Sequence, residues 1–192
     1  MSPNVVNDRS RTTEGTLAMT TATPTLTAER ADLLETLAAH RYFLRHTVQG
    51  LTDEQARQRT TASELTLGGL VKHVAAQERN WVRFVLEGPD AIATPTDAAG
   101  FSKWADEFVL EPEETLEGVL AEYAEIAERT DELVRTIPDL DVSHPLPEAP
   151  WFQPGASRSA RRVFLHIVAE TAQHAGHADI LRESLDGQKT MG

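Results

Sequence analysis

Apolar residues recur every three to four positions along several long stretches of the chain, which is the spacing of one face of an α-helix. The first stretch predicts a helix over residues 27–50, and the second predicts a helix over residues 66–87. Between them, Thr52 and Gln55 have the spacing of a capping box, which predicts a short helical turn. After the second helix the sequence is loop-like, with one helical turn near Lys103.

The second half of the chain predicts two more helices separated by a proline-rich loop. The third helix covers residues 113–137, and the fourth begins at Ser157 or Ser159 and ends near Ser184. The segment 138–155 contains five prolines, so neither a helix nor a central strand is expected there. Long helices without a convincing strand predict an all-α fold, a four-helix bundle with long crossover loops.

The domain organisation follows from composition. Residues 1–26 are rich in Thr, Ser, Asn and Pro without an apolar period, which predicts a disordered tail. Met19 lies in this tail, and whether it is the true start is left open. Residues 27–187 are expected to form one domain, with 188–192 as a C-terminal tail.

The charge and cysteine content exclude several classes of function. Thirty acidic residues against eighteen basic ones give a net charge of −12, which repels nucleic-acid phosphate and anionic lipid headgroups. No cysteine is present, so any metal must be held by His and carboxylate side chains. The sequence offers neither an apolar run of membrane-spanning length nor a signal peptide, so a cytoplasmic location is expected.

Potential ligands line up on the fourth predicted helix. At 100° per residue, His166, Glu170, His174 and His177 fall within a stripe about 80° wide. On the second helix, His73 lies at the margin of an apolar face, where a buried imidazole needs a polar partner. A metal could be that partner, because side chains at positions i and i+4 can reach one ion while His73 approaches from a facing helix.

Two segments carry a family resemblance. LTLGGLVKHVAAQERNW and FLHIVAETAQHAGHADILRESLDG, separated by a long crossover, together resemble the DinB-like family, particularly its branch near mycothiol-dependent maleylpyruvate isomerase. The resemblance covers residues 27–187 and implies a helical bundle that holds a divalent metal through three side chains. Position by position, these are His73, Glu170 and His174. Many DinB-like proteins carry His where this chain has Glu170, whereas the mycothiol branch carries Glu.

The resemblance also implies a chemistry. Three protein ligands leave a metal with an open position, and in this family the implied occupant is the sulfur of a low-molecular-weight thiol, whose pKa the metal lowers. Because the chain has no cysteine, the sulfur comes from outside, with mycothiol as the leading candidate and bacillithiol and glutathione behind it. Zn²⁺ is the leading metal, with Ni, Fe and Mn as alternatives.

These expectations predict a thiol S-transferase or thiol-dependent isomerase whose partners are a small thiol and a small electrophile. Hydrolysis by metal-activated water and a non-catalytic metal- or ligand-binding bundle remain alternatives, and a homodimer is left open. His177 is predicted to hydrogen-bond a ligand or carry protons. His166 is predicted to be structural and Trp81 to be core. The role of His144 is open, and Trp151 is expected over the site mouth or as a loop anchor.

Overall fold

The fold was established with a computed structural model, which describes Met1 and residues 26–92, 95 and 97–190. The tail predicted for residues 1–26, including Met19, therefore lies almost wholly outside the described residues. Within the described part, the elements in chain order are α1 (Ala28–Thr47), α2 (Asp53–Arg57), α3 (Leu67–Glu87), a 3₁₀ turn (Pro89–Ala91), α4 (Ala98–Asp106), α5 (Leu116–Thr136), β1 (Ser143–Pro145), β2 (Ser157–Ser159) and α6 (Ala160–Asp186).

The long helices α1, α3, α5 and α6 pack as a bundle, in which α1 lies mainly against α6, and α3 lies against both α5 and α6. Each begins at a Ser or Thr whose hydroxyl accepts a backbone N–H three residues later. The predicted all-α, DinB-like bundle is confirmed. Among the described helices, none has the length and apolarity needed to cross a membrane.

The connections between the helices differ from the prediction in two places. The crossover after α3 contains a full helix, α4, where only a single helical turn near Lys103 was expected. Asp97 starts α4, and its carboxylate accepts the backbone N–H of Gly100 at 2.8 Å. The sequence carries two signals for this helix that the prediction missed: the Asp97 cap, and the helical spacing of the apolar residues Phe101, Trp104, Ala105 and Phe108.

The second difference is a pair of short strands, although the sequence showed no convincing strand. The proline-rich loop contributes one of them, which the exclusion of a helix and a central strand there allows, because a two-stranded ribbon has no central strand. β1 and β2 pair antiparallel, and His144 stands opposite Arg158. Pro145 is tolerated because a two-stranded ribbon leaves one edge of each strand without a partner. Nε2 of His144 lies 3.2 Å from the carbonyl oxygen of Val85, so this histidine docks the ribbon on the end of α3.

A buried polar cluster connects three of the long helices. Arg41 on α1 donates to Glu78 on α3 at 2.5 Å and to Asp131 on α5 at 2.8 Å. The hydroxyl of Thr130 donates to the same Glu78 carboxylate at 2.5 Å. The side chain of Glu78 is fully buried, so the cluster satisfies a charge that would otherwise be costly within the apolar core.

Two glycines at the start of α3 allow the segment after α4 to cross the helix closely. A Cβ atom at Gly69 would lie 1.8 Å from the carbonyl oxygen of Phe108, and one at Gly68 would lie 2.8 Å from Leu110 Cδ2. Only the absence of a side chain permits this approach. The crossing brings Phe108 onto the face of α3 that carries His73.

Candidate metal centre

His73 is a buried histidine with an unsatisfied nitrogen. Its side chain stacks on Phe108, with ring centroids 3.7 Å apart. Among the described residues, its Nδ1 has no hydrogen-bond partner, and Oε2 of Glu107 lies 3.9 Å away, beyond hydrogen-bond distance. Burial lowers the pKa of His73 to about 3, with the nearby His174 contributing. The imidazole is therefore neutral near pH 7, which is the form that binds metals.

Glu170 and His174 approach His73 from α6. Nε2 of His174 lies 3.5 Å from Oε2 of Glu170, one helical turn away. The rings of His73 and His174 meet with centroids 5.0 Å apart. Burial lowers the pKa of His174 and raises the pKa of Glu170, while Arg158 acts on Glu170 in the opposite direction. The structure thus brings the three predicted ligands together between α3 and α6.

The side chains at this site are of the types that bind a divalent metal, but their present positions do not enclose an ion. Within the described ranges, no three His, Asp or Glu side chains enclose an ion as they stand. The donor types nevertheless suit a divalent metal: neutral imidazoles, a half-buried carboxylate and the orphaned nitrogen of His73. Side-chain rotations would have to bring these atoms within about 2.0–2.2 Å of an ion. The ligand set remains a prediction.

His177 lies on the far side of His174 from Glu170. Its Nδ1 is 3.4 Å from Nδ1 of His174, whereas Nε2 of His174 faces Glu170. With suitable tautomers, this pair of nitrogens can share one proton in a hydrogen bond. The position is compatible with a residue that orients His174, and that role also remains a prediction.

Glu107 is a neighbour of the site that the sequence did not reveal. It is the C-cap residue of α4. Gln77 donates to its Oε2 at 3.4 Å, and the same oxygen lies 3.9 Å from His73. No extra carboxylate was identified near the ligands from the sequence, because the crossover that carries Glu107 was predicted to be loop-like. The crossing over Gly69 places it there.

His166 lies at the site, although the sequence favoured a structural role. Its Nε2 is 3.9 Å from Oε1 of Glu170, and its ring meets Trp81 edge-on with centroids 4.7 Å apart. Burial lowers the pKa of His166 to about 4, and the positive charges of Arg158 and Arg162 add to this effect. A neutral imidazole therefore stands beside the predicted ligands.

Two of the three predicted ligands, His73 and Glu170, line an aromatic cleft of about 650 Å³. Trp81 is 5% exposed, which confirms its core position, and Trp151 is 56% exposed at the cleft. All three tryptophans of the chain line this cleft. The lining also includes His73, His166, Glu170, Phe108, Phe152 and Arg158.

A second cavity, of about 700 Å³, lies between the α1–α2 connection and the start of α5. No histidine is among its described lining residues, and it shares none of its lining residues with the aromatic cleft. Because size alone does not indicate chemistry, the aromatic cleft is the better candidate site.

Comparison with known proteins agrees with the fold. The family model for mycothiol-S-transferase matches residues 32–187, a range that includes every element from α1 to α6 except the first turn of α1. A comparison with curated proteins found no significant match. The match covers most of the chain, so the protein belongs to the mycothiol-S-transferase family of DinB-like helical bundles.

Proposed function

We propose that this protein is a metal-dependent transferase that joins a low-molecular-weight thiol, mycothiol in the first place, to a small electrophile, or uses the thiol to isomerise one. The observation that carries the proposal is the buried, neutral His73 facing His174 and Glu170 at the wall of an aromatic cleft. The family match supports the thiol. The lack of cysteine means that the chain supplies no sulfur itself.

His73, Glu170 and His174 would hold the metal, with Zn²⁺ as the leading candidate. A divalent metal in this position supplies a Lewis acid that lowers the pKa of a thiol at its open position. The carboxylate of Glu170 reduces the net positive charge there, and two neutral imidazoles add none. His177 orients His174 through the contact between their Nδ1 atoms.

The remaining residues bind the electrophile and handle the proton. Trp81 and Phe152 form an apolar wall that excludes water from the reacting sulfur. His166 is neutral near pH 7, so it can accept a hydrogen bond from the incoming thiol and relay the thiol proton to solvent before the sulfur–carbon bond forms. In a substitution the leaving group departs with the bonding electrons, and in an addition the proton returns to the substrate carbon.

Thiol dependence tests this proposal. Protein reconstituted with Co²⁺ should change its visible absorption when mycothiol is added, because thiolate coordination produces charge-transfer bands. A bimane electrophile should then be converted to the mycothiol conjugate, as followed by mass spectrometry. The His174→Ala variant should show neither response. Rates are compared with the uncatalysed reaction without protein, and an equal acceleration by metal-depleted protein would contradict the proposal.

Glu107 supports metal-dependent hydrolysis as a second candidate function. Its carboxylate lies 3.9 Å from His73 and could accept a proton from an attacking water molecule. A hydrolase should cleave ester substrates without any thiol and should slow strongly in the Glu107→Gln variant. A transferase should require thiol whichever residue occupies position 107. If metal binds without turnover of either kind, the bundle is a non-catalytic binding protein.

A further inference from the structure

Arg158 places a positive charge inside the aromatic cleft. It lies in β2, where pairing with β1 fixes the backbone directly before α6. Its guanidinium carbon is 4.6 Å from the ring centroid of Trp81 and 5.5 Å from that of Phe152. Rings on the cleft wall therefore hold the guanidinium through cation–π contacts, with its side chain lining the cavity.

One nitrogen of this guanidinium lacks a partner. Among the described residues, Nη1 of Arg158 is buried and has no acceptor to which it donates a hydrogen bond. Two buried arginines are satisfied: Arg41 donates to carboxylates, and Arg182 donates to Asp186 and to backbone carbonyls. Arg45 also has a buried nitrogen without a partner, Nε, but it lines the second cavity, which has no histidine among its described lining residues. A buried cationic donor without an acceptor is destabilising unless a ligand supplies the acceptor. Arg158 is therefore built for an occupant of the cleft.

The charges around Arg158 are consistent with an anionic occupant of the cleft. Burial lowers the pKa of Arg158, Arg162 adds to the effect, and Glu170 opposes it through space. Although Glu170 attracts the guanidinium through space, Nη1 of Arg158 still has no hydrogen-bond partner among the described residues. Because the whole chain carries a net charge of −12, an anion is repelled at long range and needs a local cation to be held.

We propose that Arg158 binds a carboxylate on the electrophilic substrate, whose apolar body lies against Trp81, Phe152 and Trp104. A single guanidinium in an apolar surrounding suits a monoanion, to which it can donate two parallel hydrogen bonds. This inference deepens the proposed function by naming its substrate class, acidic electrophiles with an apolar body. The acidic group lies toward β2, and the reacting carbon lies toward His73 and Glu170.

The tryptophans make the test direct. All three line the cleft, so intrinsic fluorescence excited at a wavelength that only tryptophan absorbs reports on this cavity alone. The protein as purified is titrated with 3-phenylpropionate and, separately, with 3-phenylpropionamide, which has the same shape without the charge. Metal content is measured in parallel, and no thiol is present.

We expect the acid to bind at least about tenfold more tightly than the amide in the wild-type protein, as a charge-assisted hydrogen bond requires. In Arg158→Gln the ratio should fall to about one, whereas Arg158→Lys should retain part of it. Arg162→Gln is the matched control, because it removes the same charge from a nearby exposed position. It should keep the wild-type ratio at equal metal content.

Either of two results overturns the proposal: a wild-type ratio of one, or an undiminished ratio in Arg158→Gln. If Arg158 only balances the charge of Glu170, Arg158→Gln will change metal content and leave the ratio unaltered. Circular dichroism shows whether each variant is folded. If Arg158→Gln does not fold, the acid-to-amide affinity ratio of Arg158→Lys is compared with that of the wild-type protein, and an undiminished ratio then overturns the proposal. Because this binding experiment contains no thiol, its result is independent of the thiol-transfer experiment. A lack of preference for the acid would overturn this inference alone, and a lack of thiol transfer would overturn the proposed function alone.

Discussion

The rings of His73 on α3 and His174 on α6 meet edge to face, with centroids 5.0 Å apart and planes at 79°. A contact between two neutral imidazoles from different helices contributes little stability by itself. Neither carries a charge near pH 7 that could stabilise the contact, since burial lowers the pKa of both. A metal bound by both histidines would account for the contact.

Protein purified without a metal-affinity tag should contain one divalent metal per chain. His73→Ala and His174→Ala should each lose most of it, because either change removes a strong nitrogen donor. Elemental analysis by mass spectrometry measures the content. His40→Ala is the control, since His40 lies on α1 beside Phe43 and should have no effect. Repeated absence of metal, with no uptake of added Zn²⁺ or Ni²⁺, would falsify the ligand set.

Glu170 and His177 should respond differently to substitution. Glu170→Gln should lose the metal, because a neutral amide is a poor ligand for Zn²⁺. His177→Ala should retain it with affinity reduced by roughly ten- to a hundredfold, the usual effect of losing a group that orients a ligand. Competition with a chromophoric chelator gives both affinities. The opposite pattern, an empty site in His177→Ala and a full one in Glu170→Gln, would move the ligand set by one turn along α6.

Gly69→Ala should disturb the site through the backbone. The added Cβ would meet the carbonyl oxygen of Phe108, so the segment that carries the ring stacked on His73 must move. We expect the unfolding free energy to fall by about 1–3 kcal/mol, the range for overpacking, and the metal to bind more weakly. Urea denaturation followed by circular dichroism measures the first effect.

Gly176→Ala is the matched control for that experiment. It lies on α6 between two of the site histidines, and a Cβ there would meet nothing within 4 Å. Its only expected effect is a gain of up to about 1 kcal/mol from helix propensity. Equal stability of Gly69→Ala and the wild-type protein would mean that the close crossing is not required.

The buried cluster around Glu78 should dominate the electrostatic contribution to stability. Arg41→Leu leaves a fully buried carboxylate without its main partner, which should lower the unfolding free energy by about 3–5 kcal/mol. Arg79→Ala breaks an exposed pair with Glu122 that joins α3 and α5, two of the three helices in the cluster, and should cost less than about 1 kcal/mol. Chemical denaturation at fixed pH compares the two variants. Similar losses would contradict the importance of burial.

The parts of the site that the sequence predicted all lie within long helices. The ligand stripe on α6 follows from helical register alone, and His73 was recognisable by its apolar flanks. These residues depend on local structure and on one helix–helix packing, so a pattern suffices to place them. Their convergence was therefore predictable, although their binding of a metal remains to be tested.

The residues that the sequence missed depend on contacts between distant segments. Glu107 reaches His73 only because the chain crosses α3 over Gly69, which no local pattern encodes. Arg158 enters the cleft from a strand of three residues, too short to show alternation, that His144 docks on α3. His166 shares the ligand stripe, but its place in the cleft became visible only with Trp81 beside it.

The wide separation of the site residues along the chain has a consequence for biosynthesis. His73 emerges from the ribosome about one hundred residues before Glu170 and His174, and α1 meets its main packing partner only when α6 has been made. A nascent chain that ends within α5 therefore exposes the apolar faces of the earlier helices and has only one of the three predicted ligands. Metal capture by these three residues would therefore have to follow the docking of α6.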